Sequence, residues 1–182
     1  MKFPYQMLRD FVETTLNAEQ IGDLLTMAGF ELEGIEEVEG DHVLDVKVMS
    51  NRGDGLSVFG LSREVLAKDI NAKPTELYEK TAAFKSDLPA NTGRVTIVTE
   101  DCNRFACCTF DGVSPAQSPD WMQNRIRQTG QRPISLLVDL TNYVMLELGQ
   151  PMHAFDLDTL TGERIVVRKA QNGEKLTTLN GD

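Results

Sequence analysis

Three side chains in the stretch TNYVMLELGQPMHAFD, residues 141–156, can do chemistry together: the hydroxyl of Thr141, the amide of Asn142 and the imidazole of His153, one of only two histidines. Hydroxyl and amide groups both donate and accept hydrogen bonds, and an imidazole exchanges a proton near neutral pH. Converging on one concavity, such groups bind a phenolic or hydroxylated substrate, or orient a water towards an ester. The chain has no Gly-x-Ser-x-Gly elbow and no cysteine with an evident partner base, so water is the expected attacking group. Taken singly, each residue also has a structural explanation. An amide within an apolar helix ties that helix to a neighbouring loop, and a lone histidine is more often a satisfied structural group than a catalyst.

The elements that must position these groups can be read from periodicity and stop signals. Residues 134–148 have the composition of a helix, which Gly149 and Pro151 close, placing His153 on a loop just past its end. A preceding helix is marked by Ser118 as N-cap, Pro119 at the first helical position and Asp120 near the positive end of the helix dipole; Trp121, Met122, Arg125 and Ile126 continue it and Gly130 ends it. Residues 94–99 and 105–113 are β-like, and 165–170 alternate as a strand that Asn172-Gly173 turns into a second strand over 175–179. Asn180-Gly181 is another hairpin signal with no strand after it, the pattern of a fragment or of a sheet edge covered by something else.

Nearer the amino terminus, Asn17 and Gln20 have capping-box spacing, and Ile21, Leu24, Leu25 and Ala28 share a helical face before Gly29. Alternation over 30–38 and 43–49, linked by Glu39-Gly40-Asp41-His42, predicts a hairpin. A turn at SNRGDG then leads into a helix over 56–68 that sets Leu56, Phe59 and Arg63 on neighbouring turns. Around that turn Asn51, Arg52, Asp54, Arg63 and Glu64 form a structural motif, in which Arg52 and Asp54 pair across the turn or hold two lobes together, as do Arg63 and Glu64. The polar, weakly periodic stretch 71–93, with Pro74 and Pro89, is the expected connector.

Eighteen basic against 28 acidic residues give a formal charge of −10, which excludes a general nucleic-acid-coating surface and confines any RNA contact to a local one. The start, MKFPYQMLRDFVETT, is not a signal peptide, and no apolar run approaches the roughly 20 residues of a membrane span, so the cytoplasm is the expected setting. Cys102, Cys107 and Cys108 cannot all pair and lack Cys-x-x-Cys spacing; structural thiols are expected, with no disulfide framework and no metal site.

Three blocks, VMSNRGDGLSVFGLSREVLA, SPDWMQNRIRQTGQRPISLLVDLTNYVMLELGQPMHAFD and IVVRKAQNGEKLTTLNG, closely resemble the amino-terminal part of the bacterial phenylalanyl-tRNA synthetase beta subunit, with the start of its editing domain. The resemblance implies a chain that pairs with a catalytic alpha subunit, usually two of each, to join phenylalanine to its tRNA using ATP and magnesium. It implies as well an editing domain that hydrolyses tyrosyl-tRNA made in error, with Thr141, Asn142 and His153 on positions lining the editing pocket. No cofactor is expected in this chain itself, since neither an ATP site nor a class-defining aminoacylation core is present. The family's usual OB-fold insertion is missing between EEVEG and VLDVKVMSNR. The usual Thr-Pro before and Pro-Asp after Asn51-Arg52 are replaced by Met49-Ser50 and Gly53-Asp54, and the pocket's downstream half lies beyond the chain.

The expected architecture is therefore α+β in two small mixed lobes. Residues 1–70 form the first, without the OB-fold; 71–93 connect; and 94–182 form the first, incomplete part of an editing-type domain. The alternatives from other classes are a non-catalytic module that docks on protein or RNA and a free-standing aminoacyl-tRNA hydrolase.

Overall fold

In the computed structural model, residues 1–85 and 93–177 are described. Helices and strands are mixed, and the chain divides into two compact units: Met1–Lys85 with Ser114–Ala154, and Ser86–Val113 with Phe155–Asp182.

The first unit is built on a three-stranded antiparallel sheet in which β4 (Asp41–Lys47) lies between β1 (Lys2–Pro4) and β3 (Glu31–Val38). The β3–β4 turn needs only Glu39 and Gly40, both at positive φ (51° and 79°), the backbone twist that suits a two-residue hairpin. A turn this short has no room for an inserted domain. α1 (Tyr5–Arg9) follows β1, and β2 (Val12–Glu13) follows α1. α2 (Ala18–Met27) begins at the expected capping box: the Asn17 side chain accepts from Gln20 N–H at 2.9 Å, and the Gln20 side chain accepts from Asn17 N–H at 3.0 Å. Its apolar face meets the sheet and α3 (Val58–Lys68) in a core containing Phe3, Met7, Leu8, Phe11, Ile21, Leu25, Leu44, Val46, Leu61 and Val65.

That core is completed from far along the sequence. α5 (Asp120–Gln128) contributes Met122 and Ile126, and α6 (Leu136–Leu148) contributes Tyr143, all buried against residues of the first 70 positions. This differs from the expected division, which assigned both helices to a second lobe beginning at 94. Burial of apolar side chains, not proximity in sequence, decides which unit a helix joins. The stretch expected to be a connector also folds onto the first unit. β5 (Lys73–Pro74) pairs with β2, and α4 (Glu76–Ala83) is capped by Thr75, whose hydroxyl donates to Asp10 O at 2.6 Å. α4 buries no residue fully and is held by that cap and by the Tyr78 ring against Phe59, 5.0 Å between centroids, so it leaves almost no apolar period to read. Pro89, assigned to the same connector, lies outside the described residues.

The second unit is sparse. β6 (Val95–Ile97) and β7 (Ile165–Val167) pair in parallel, flanked by Arg94–Glu163 at 2.8 Å, Lys169–Asp101 at 2.8 Å and a two-pronged Arg168–Glu174 pair. None of its described residues is buried. The β-like stretch 105–113 forms no strand here and is exposed; strand preference expresses itself only against a neighbouring surface. Asn172-Gly173 makes the expected turn, with Gly173 at φ 86° and Glu174 N–H donating to Gln171 O at 3.1 Å, yet residues 175–177 do not form the expected returning strand. The remainder of that strand and the Asn180-Gly181 turn lie outside the described residues.

Candidate functional site

α6 carries the candidate residues, and its placement begins at a buried carboxylate. Asp139, 1% exposed, accepts from Ile134 N–H at 2.8 Å through Oδ1 and from the Ser118 hydroxyl at 2.5 Å through Oδ2, clamping the starts of α5 and α6 together. Ser118 was expected to cap α5; its hydroxyl is taken by Asp139, and Pro119 is the residue preceding the helix. An acid in the first turn of a largely apolar helix was the available signal for this clamp.

Thr141 and Asn142 follow in mid-helix, both half-buried. The Thr141 hydroxyl donates to Val138 O at 2.7 Å, so its oxygen is left only to accept. Tyr143 faces the core: its hydroxyl accepts from Arg125 Nη1 at 2.6 Å, Arg125 also pairs with Asp10, and Trp121 meets the Tyr143 ring edge-on at 5.5 Å. One turn on, burial and the nearby Asp10 carboxylate push the Glu147 carboxyl above its ordinary value of 4.5, against the pull of Arg125.

A carboxyl raised on folding holds its proton more tightly in the native state, so it opposes folding once the pH exceeds the unfolded value and is silent below it. Glu147→Gln is therefore expected to raise the melting temperature at pH 7 and to leave it unchanged near pH 3. Thermal melts at the two pH values check this; equal shifts at both would show that charge is not the cause.

α6 ends where expected. Gly149 adopts φ 79°, and its N–H donates to Met145 O at 2.8 Å. Past it, Gln150 Nε2 donates to Pro151 O at 3.1 Å, and His153 lies exposed. Thr141, Asn142 and His153 thus share one unit and flank the carboxyl-terminal half of one helix. They line neither of two concavities found among the described residues. One, of about 300 Å³, is lined by Ala170, Glu174, Lys175 and Leu176; the other, of about 80 Å³, by Asn17, Ala18, Glu19, Ile35 and His42.

In the Asn51–Glu64 motif, Arg52 Nε and Nη2 donate to Asp54 at 3.0 and 2.9 Å, Nη2 also donates to Glu64, and the guanidinium lies over the Phe30 ring 4.7 Å from its centroid. These partners hold the arginine charged and keep the Asp54 carboxyl below its usual range. All these partners belong to the first unit. Arg63 and Asn51 are exposed. Cys102, Cys107 and Cys108 form no disulfide. Among the described residues no cluster of three or more His, Cys, Asp or Glu side chains is arranged to hold a metal ion, and no helix is long and apolar enough to cross a membrane.

Residues 101–182 match the family described as the B3/4 domain. Over 182 residues, 99% of this chain, the sequence is 37% identical to the phenylalanine–tRNA ligase beta subunit of Rhodopirellula baltica and covers 26% of that protein. It is 47% identical over 147 residues to the beta subunit of Oleidesulfovibrio alaskensis and 44% over 144 residues to that of Moorella thermoacetica, in each case over 78% of this chain. Those two matches cover 18% and 17% of the relatives, so the chain spans about a quarter or less of the length of the proteins it matches. A 182-residue match that takes in 99% of the chain leaves no room for an inserted domain in the matched part of the first relative either. With such identities along most of its length and the B3/4 match across both α5 and α6, the chain is similar to one region of phenylalanine–tRNA ligase beta subunits.

Proposed function

We propose that this chain is the region of a phenylalanine–tRNA ligase beta subunit that contributes Thr141, Asn142 and His153 to a site hydrolysing tyrosyl-tRNA made in error. The observation that carries the reading is the B3/4 match over residues 101–182, which contains all three side chains, within a chain similar to those beta subunits. The partners that follow are a catalytic alpha subunit, in a heterotetramer, and tRNA, in the cytoplasm. ATP and magnesium serve ligation in the whole synthetase and are held outside these residues.

In the proposed reaction a water attacks the carbonyl carbon of the 3′-ester, the carbon–oxygen bond to the ribose breaks, and the ribose oxygen leaves with a proton. His153 and Asn142 position the water or the terminal adenosine. Thr141 supports the pocket wall; its hydrogen is committed to Val138 O, so towards a substrate it offers lone pairs only. A buried acceptor satisfied by the tyrosine phenol and left unpaired by phenylalanine discriminates by roughly 10⁴ or more.

The test uses a complete beta subunit carrying this sequence, assembled with its alpha subunit, and reads the first-order loss of tyrosine from tyrosyl-tRNA specific for phenylalanine. His153→Ala is expected to slow that loss by about 10²-fold, the usual scale for a proton-transfer or water-positioning group. An unchanged rate would remove His153 from the site.

A further inference from the structure

Gly149, which ends α6, sits against the turn that leads into α3. A Cβ added there would lie 3.2 Å from Ser57 Cβ, 3.5 Å from Ser57 Oγ and 3.7 Å from Leu56 O. Ser57 has no freedom to withdraw. It is buried, and its Oγ caps α3 by accepting from Gly60 N–H at 2.9 Å. Gly60 in turn has room for no side chain, because a Cβ would fall 1.7 Å from Asp54 O. Asp54 is gripped by two nitrogens of Arg52, Nε and Nη2, and Arg52 is fixed by Glu64 and the Phe30 ring.

We propose that this 52–57 turn is the seat on which the end of α6 rests, and that Ser57 and Gly149 are positioning residues for His153. The chain between Gly149 and His153 has little slack. Pro151 fixes its own φ and restricts Gln150 before it, so a displacement at Gly149 is carried to the imidazole four residues on. The arrangement also gives the Arg-Gly-Asp turn a task that its surface pairings alone do not explain. The consequence for catalysis rests on the hydrolytic reading above; the contact itself does not.

The chain's two histidines allow a test that reads position and not activity. Ring Cε1–H NMR signals of His42 and His153 are recorded for the unchanged chain, for Gly149→Ala and for Gly149→Asn. Alanine adds both a left-handed backbone penalty and the clash with Ser57, whereas asparagine tolerates the left-handed conformation and keeps the clash. Both substitutions are expected to displace the His153 signal and leave that of His42, on β4, where it was. Adding Ser57→Gly, which removes the clashing Cβ while glycine still serves as a tolerable cap, is expected to return the His153 signal towards its original position. A His153 signal that does not move, that moves together with His42, or that fails to return in the double variants would overturn the proposal. Because no hydrolysis is read, failure of the hydrolytic reading would leave this result standing.

Discussion

Asp139→Ala is expected to lower the stability of the first unit by about 3 kcal/mol, because it leaves the buried Ser118 hydroxyl and the part-buried Ile134 N–H without an acceptor, and each such loss costs on the order of 1–3 kcal/mol. For a chain of this length that corresponds to a melting temperature lower by roughly 6–12 °C. Asp139→Asn sharpens the interpretation. Its amide oxygen still accepts from Ile134 N–H, and the serine hydroxyl rotates to accept from the amide nitrogen, so a loss of about 1 kcal/mol is expected. Equal losses for the two variants, measured by thermal or denaturant unfolding, would mean that charge and not the pair of hydrogen bonds holds the helix starts together.

Gly60→Ala sets two effects against each other. Alanine in place of glycine within a helix is worth up to about 1 kcal/mol in favour of folding. Against it stands a Cβ placed 1.7 Å from Asp54 O, a backbone atom in a turn gripped by Arg52, where overpacking costs about 3 kcal/mol. The steric term wins, and a net loss of about 2 kcal/mol, or roughly 4–8 °C in melting temperature, is expected. A melting temperature that rises would show that the turn yields and is no rigid seat.

What could be read from the residues follows the range over which their signals act. Asn17, Gln20 and Gly29 bound α2 through contacts within a few positions, and Glu39-Gly40 with its flanking alternation makes the β3–β4 hairpin for the same reason. Gly130 and Gly149 end α5 and α6 at positive φ, as their place after each apolar run implies. The membership of α5 and α6 in the first unit was not legible, because it depends on Met122, Ile126 and Tyr143 joining one core with residues such as Phe3 and Phe11, more than a hundred positions away. Ser118 has the right spacing for a cap but is drawn off by Asp139, twenty-one residues on, and local spacing carries no trace of such a partner. In the second unit the 105–113 stretch has strand composition without a neighbouring strand to realise it.

The candidate site was legible as a set of side chains and not as a cavity. Thr141, Asn142 and His153 announce themselves by polarity within an apolar pattern, and the carboxyl-terminal stop places the histidine correctly past the helix. What fixes that stop in space is Ser57, which lay inside the helix expected over 56–68 and is found through the close approach of Gly149 to it.

The measurement that bears most directly on the proposed function is the hydrolysis of tyrosyl-tRNA against phenylalanyl-tRNA, both on the phenylalanine-specific tRNA, by a synthetase whose beta subunit carries this sequence. Rapid loss of tyrosine with phenylalanine retained, at a ratio of roughly 10⁴, is the predicted result. Equal rates for the two esters, or a tyrosyl ester no shorter-lived than with protein omitted, would contradict it.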